Sequence, residues 1–110
     1  MSFTRITPEF SVSPQIAVAD VADLKAQGFR SIVCNRPDGE DAGQPPVAVI
    51  RAEAERLGLD FAFVPVVSGG ILPEDVAEFR EALAGLPGPV LAYCRSGTRC
   101  RNLYGMAQQG

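Results

Sequence analysis

This chain predicts a single α/β domain, with a central, mostly parallel sheet of four to five strands flanked by helices. Three observations carry that prediction. Short apolar runs of strand length alternate with longer stretches whose apolar residues recur at helical spacing. The 11 glycines and 9 prolines fall largely between those segments, where they end one element and start the next. The chain has 110 residues and is 46% hydrophobic, enough for one core and too little for two, so residues 1–110 are expected to form one domain.

Taken in order, Phe3–Ile6 reads as a short edge strand that Pro8 keeps from lengthening. Val12–Ile16 is a second extended piece, broken at Pro14. Asp20 is placed to cap a helix over VADLKAQ, which presents Val21 and Leu24 on one face and stops at Gly28. Phe29–Cys34 is a central strand, and the charged, turn-rich loop Asn35–Gly43 leaves its C-terminal end. Pro45 and Pro46 precede a helix from Val47 to Leu57. Asp60–Val67 is the next strand, followed by the loop Ser68, Gly69, Gly70. Pro73 opens a helix with acids in its first turn and Val76, Phe79, Leu83 and Leu86 along one face. Pro87 to Pro89 break it before a strand ending at Cys94, and a last helix runs from about Thr98 to Gln109. Right-handed crossovers would bring the strand C-terminal ends to one edge, gathering Arg36, Asp38, Glu40, Ser68 and Cys94.

The chemistry concentrates in PVLAYCRSGTRCR, Pro89 to Arg101. A buried strand that turns through a glycine into a helix start points successive N–H groups inward, which makes an anion cradle. Cys94 at its mouth is the expected nucleophile, since amide dipoles and guanidinium groups favour thiolate. Arg99 would close the cradle and Arg95 would bind a second face of the anion. The backbone of Ser96, Gly97 and Thr98 would line it, with glycine where the main chain must approach closely. Arg36 admits two readings, added positive charge for the ligand or a pair with Glu40 or Asp41 that shapes its own loop. Asp38 and Glu40 read as solvated turn residues. Accessory candidates are Asp38, Cys34, as a strand-end thiol or a resolving partner for Cys94, and Cys100.

The net charge is −3, yet Arg36, Arg95, Arg99 and Arg101 would cluster near Cys94. That pattern suits a small anionic ligand and speaks against a nucleic-acid surface. No apolar run reaches membrane-spanning length, and the first residues lack a signal-peptide pattern. Three cysteines without paired spacing favour a reducing, cytoplasmic setting over a disulfide framework. With no histidine, neither a Cys–His dyad nor a His-ligated metal is available, so no metal or cofactor is expected.

CRSGTR resembles the rhodanese active-site loop, Cys-Arg-x-Gly-x-Arg, in which the cysteine carries sulfur and the arginines bind anions. The whole chain resembles a small bacterial family, domain of unknown function 442 (DUF442), also described as a beta-lactamase-hydrolase-like phosphatase domain. The resemblance rests on VSPQI, GFRSIVCNRPDGE, FVPV and GPVLAYCRSGTR. It implies a dual-specificity-phosphatase-like fold, a sulfurtransferase activity, and an association with persulfide dioxygenases. Cysteine phosphatases place the arginine six positions after the cysteine. Here that position holds Cys100 and the arginines fall at five and seven. The phosphatase general-acid Asp is replaced by Ser68, Gly69 and Gly70 in the matching loop, and the histidine before the cysteine by Tyr93. Cys100 stands where rhodaneses carry a hydroxyl. These counts lead to the expectation of a sulfurtransferase. Cys94 would take sulfane sulfur from thiosulfate or a small persulfide and pass it to a thiol acceptor. A cysteine-dependent phosphatase, with Asp38, Asp41 or Asp75 as the acid, is the alternative. A non-catalytic persulfide-sensing or redox module is the other.

Overall fold

The computed structural model describes residues 2–109. Its elements are β1 (Thr4–Thr7), β2 (Phe10–Ser13), α1 (Val18–Ala26), β3 (Ser31–Cys34), α2 (Val47–Arg56), β4 (Asp60–Phe63), α3 (Pro73–Gly85), β5 (Val90–Tyr93) and α4 (Thr98–Ala107). The five strands lie in the order β1-β2-β5-β3-β4. Only the β1–β2 pair is antiparallel.

Each element follows from a local cause. In α1 the helix begins two residues before the sequence reading placed its cap. Asp20 is the third helical residue, and its carboxylate accepts the Ala17 N–H at 2.8 Å from inside the first turn. Asp75 does the same for α3, accepting the Leu72 N–H at 2.9 Å. In β4 the regular strand ends at Phe63, short of the expected Val67, because Pro65 has no N–H to offer. The pairing nevertheless continues past it: Val64 N–H donates to Cys34 C=O at 2.9 Å and Val66 N–H to Asn35 C=O at 3.0 Å.

The alternation of β5 divides the core. Leu91 and Tyr93 point to the face covered by α1 and α2, with Ile32, Cys34, Leu24 and Ile50. Val90, Ala92 and Cys94 point to the face covered by α3 and α4, with Val33, Phe79, Cys100 and Leu103. The crossovers explain this. From β2 to β3 to β4 the chain moves one way across the sheet and places its helices on one side. From β4 back to β5 it reverses, so right-handedness puts α3 on the other side. β5 therefore lies between β2 and β3 where the winding reverses, and its C-terminal end is where an open α/β sheet binds ligands.

Candidate active site

The loop from Cys94 to Thr98 leaves β5 and enters α4. Strand β2 fixes its start: Cys94 N–H donates to Ser13 C=O at 3.3 Å, and Gln15 N–H to Arg95 C=O at 3.2 Å. Gly97 turns the chain at φ +92°, a left-handed conformation, and a Cβ there would stand 3.4 Å from the Ser13 carbonyl carbon. The positive φ is what favours glycine, since a Cβ would make only ordinary contact with Ser13. The turn directs the Gly97 N–H at Cys94 Sγ, 3.0 Å away.

Cys94 has no exposed surface. It lies on the cradle floor, not at the mouth as the sequence suggested, because the short loop folds directly over it. The Cys100 thiol, hydrogen-bonded to Cys94, does most to lower the Cys94 pKa to about 5. Burial opposes the shift, while the amides of Cys100, Gly97 and Ser96 reinforce it. Cys100, fully buried, is pushed the other way, first by desolvation and then by the neighbouring thiolate. The pair is thus a Cys94 thiolate held by a Cys100 thiol, so the donor role expected of a hydroxyl is filled by sulfur.

Arg99 is almost completely buried and already engaged. Its Nη1 and Nη2 grip the two Glu40 oxygens at 2.8 Å each, and Nη1 also donates to Val66 C=O at 2.9 Å. Arg36 is equally committed: Nε to Glu40 at 2.9 Å, Nη2 to Asp41 at 2.7 Å and Nη1 to the Gln15 side chain at 3.0 Å. The placement of Arg36 among the ligand-binding cations is therefore corrected; it holds the loop after β3 in shape. Glu40, read as a solvated turn residue, is the hub between the two guanidinium groups. Arg99 chiefly, and Arg36 with it, hold its carboxyl at a pKa of about 2. The pairing of Arg36 with acids four and five residues on was visible in the sequence, but the contact of Glu40 with Arg99 was not.

Of the other candidates, Arg95 is exposed over 68% of its side chain and pairs with Asp41 at 3.6 Å on the surface. Ser96 Oγ bonds Thr98 Oγ1 at 3.1 Å across the helix start. Asp38 points away from the cradle and accepts the Val47 N–H at 2.8 Å, which caps α2. Cys34 lies on the opposite sheet face from Cys94 and donates to the Arg36 carbonyl at 3.3 Å, so it is not placed to resolve a Cys94 intermediate. Burial raises its pKa. Arg101 is exposed. A groove of about 410 Å³ opens beside the loop, lined by Ile71, Arg95, Ser96, Arg99, Asn102 and Met106 among others. The last two were missed, although they follow Thr98 at steps of one helical turn. A second groove, of about 340 Å³, lies between α3 and α4 at the other end of the sheet, by Phe10 and Tyr104. Among the described residues no His, Cys, Asp or Glu cluster is arranged to hold a metal ion, and no helix is long and apolar enough to cross a membrane.

A phosphatase-like sheet with a cysteine loop between β5 and α4 has relatives. The model of the phosphatase-like domain of beta-lactamase hydrolase-like proteins matches residues 2–110. The chain belongs to that family. It is 39% identical over 104 residues to a beta-lactamase hydrolase-like protein of Agrobacterium fabrum, covering 94% of this chain and 24% of that one. With the corresponding protein of Xylella fastidiosa strain Temecula1 it shares 36% over 108 residues, covering 98% of this chain and 25% of that one. The chain thus spans about a quarter of the length of these curated relatives. Among solved structures, a candidate phosphatase from Neisseria meningitidis Z2491 superposes with a TM-score of 0.89 at 38% identity, over 98% of this chain and 77% of that one. The core catalytic domain of a PP-IP phosphatase from S. cerevisiae shares the fold, with a TM-score of 0.74 at 16% identity over 97% of this chain and 64% of that one. The family model and the Neisseria structure are described as phosphatase-like or phosphatase. The names agree with the phosphatase alternative better than with sulfur transfer.

Proposed function

We propose that this phosphatase-like domain works as a sulfurtransferase with Cys94 as the sulfur carrier. The observation that carries the reading is the state of the acids around the cradle. Asp38 and Asp75 cap helices, Glu40 is held ionised between two arginines, and Asp41 pairs with Arg36. An alkoxide leaving from phosphorus needs a proton from such a group. Sulfite and thiolates leave without one. The Gly97 amide, 3.0 Å from Cys94 Sγ, stabilises the thiolate that would carry the sulfur.

In the first half-reaction the Cys94 thiolate attacks the outer sulfur of thiosulfate. The S–S bond of the donor breaks, sulfite departs with the bond's electron pair, and Cys94 holds a persulfide anion. An acceptor thiolate then attacks the terminal sulfur, and Cys94 leaves as the thiolate it was. No proton is transferred in either half. Loop amides and Arg95 stabilise the charges at each stage.

Mass spectrometry of the intact protein after exposure to thiosulfate tests this directly. A gain of one sulfur, reversed by a thiol and absent from Cys94→Ser, is the expected result. An unchanged mass overturns it.

Phosphoester hydrolysis is the second reading, favoured by the names of the relatives. Asp41, exposed and next to Arg95, would supply the proton. Turnover of an aryl phosphate that is lost in both Cys94→Ser and Asp41→Asn, without persulfide formation, would put phosphatase chemistry first.

A further inference from the structure

The cycle described above leaves one nucleophile in the site without a covalent role. Cys100 is fully buried, belongs to the same core cluster as Cys94, and is hydrogen-bonded to the Cys94 sulfur. That contact is with Sγ itself, the atom that becomes the inner sulfur of a persulfide. Cys94 has no exposed surface, so Sγ is approached from within the core and not from solvent. The chain has three cysteines, all of them free thiols. The third, Cys34, is held on the other face of the sheet, with its S–H on the Arg36 carbonyl at 3.3 Å. Within one chain, the thiol in position to bond Cys94 is therefore Cys100.

The local backbone suits such a bond. A disulfide needs its sulfurs to close to about 2.05 Å, which from a hydrogen-bonded contact is a movement of about 1–2 Å. Cys100 is the third residue of α4, in the turn whose N–H groups have no partner inside the helix. The helix ladder opens one residue later, with Arg101 N–H on Gly97 C=O at 3.1 Å. The shift is thus asked of the most yielding turn of α4.

We propose that Cys100 is a resolving nucleophile, which closes a Cys94–Cys100 disulfide by expelling the group that Cys94 Sγ has taken up and so discharges a loaded persulfide as hydrosulfide. The discharge rests on the sulfur-transfer reading. The proton of Cys100 passes to the terminal sulfur, and Cys100 Sγ attacks Cys94 Sγ. The bond from Cys94 Sγ to the terminal sulfur breaks, and HS⁻ leaves with the electron pair. The sulfane sulfur is reduced to sulfide, the two cysteines are oxidised to the disulfide, and no outside oxidant enters. The loaded domain then has two fates: transfer when an acceptor arrives, and release of sulfide when none does.

The test loads reduced protein with thiosulfate in the absence of any thiol, and follows intact mass and released hydrosulfide with time. Native protein is expected to gain one sulfur and then lose it, ending lighter than at the start by two hydrogens, with one hydrosulfide released per chain. Trypsin cuts after Arg95 and Arg99, so the disulfide joins two peptides that carry Cys94 and Cys100. Cys100→Ser and Cys100→Ala should keep the added sulfur and release none, while Cys34→Ser should behave as native. A persulfide that lasts in native protein as long as in both Cys100 variants overturns the proposal. So does a native end product joined through Cys34 or between two chains, a readout that needs no variant. Equimolar hydrogen peroxide without a sulfur donor separates the two readings. Cys94 thiolate takes OH from the peroxide and releases hydroxide, and the Cys100 thiol then expels that OH as water. If peroxide yields the joined peptides while thiosulfate never adds sulfur, the resolving role stands and the transfer reading falls. If sulfur loads and stays, and peroxide carries Cys94 to its sulfinic acid with Cys100 still reduced, the transfer reading stands and the resolving role falls.

Discussion

Two side chains beside Cys94 do most to set charge in the site, and neither is an arginine. Cys100 is the first. Its thiol does most to keep Cys94 ionised, so the thiolate absorbance of Cys94 should titrate with a midpoint near 5. Cys100→Ala should move that midpoint upward, and Cys100→Ser, which keeps a donor, should move it less. Glu40 is the second. Its folded pKa of about 2 lies below the ordinary 4.5, so the stability it contributes is full above pH 4.5 and is lost as pH falls toward 2. Glu40→Gln should cost about 1.5–3 kcal/mol at neutral pH, the range for hydrogen bonds to charged groups, and should flatten the unfolding profile across that acid window. Chemical denaturation at a series of pH values checks both. The position of Cys94 at the end of β5, before the turn into α4, was legible from the sequence because a polar, glycine-bearing run follows an apolar strand. Glu40 was not, since its contact with Arg99 depends on how a loop from β3 folds over one from β5, and no periodicity encodes that.

At the scale of elements, turns and caps do the positioning. Gly97 holds a positive φ against the Ser13 backbone while aiming its amide at sulfur. Gly97→Ala should therefore destabilise the fold by about 1–2 kcal/mol and raise the Cys94 pKa in the same protein. Urea unfolding and thiolate titration measure the two effects separately. Asp38, considered as a site residue, is a cap. Asp38→Ala should cost about 1 kcal/mol through α2 and leave the thiolate titration in place. Helices and strands were largely readable, because glycine and proline sit at their ends. Their exact starts were less so: in α1 the capping carboxylate reaches back from the third helical position, which looks in sequence like a cap one turn later.

For the whole molecule, one sheet with two unlike faces is the organising fact. Alternation along β5 sends Tyr93 to one core and Cys94 to the other. Phe79, fully buried and edge-on to Phe10 at 6.0 Å, anchors the face beneath the site. Phe79→Ala should lower stability by about 3–5 kcal/mol, read as a fall in the urea midpoint. The sheet and its parallel character follow from alternating strands and helices, but the strand order depends on which strands meet, and pairing between distant segments leaves little local trace. That order joins opposite ends of the chain: Ser13 and Gln15 grip Cys94 and Arg95. During synthesis, then, the cysteine leaves the ribosome as an ordinary thiol with a pKa near about 8.5. It acquires its charge only when the loop after β5 closes and sets Cys100 and the loop amides around it, an arrangement that β2 anchors, so a nascent or misfolded copy carries no activated sulfur to react with whatever electrophile it meets first.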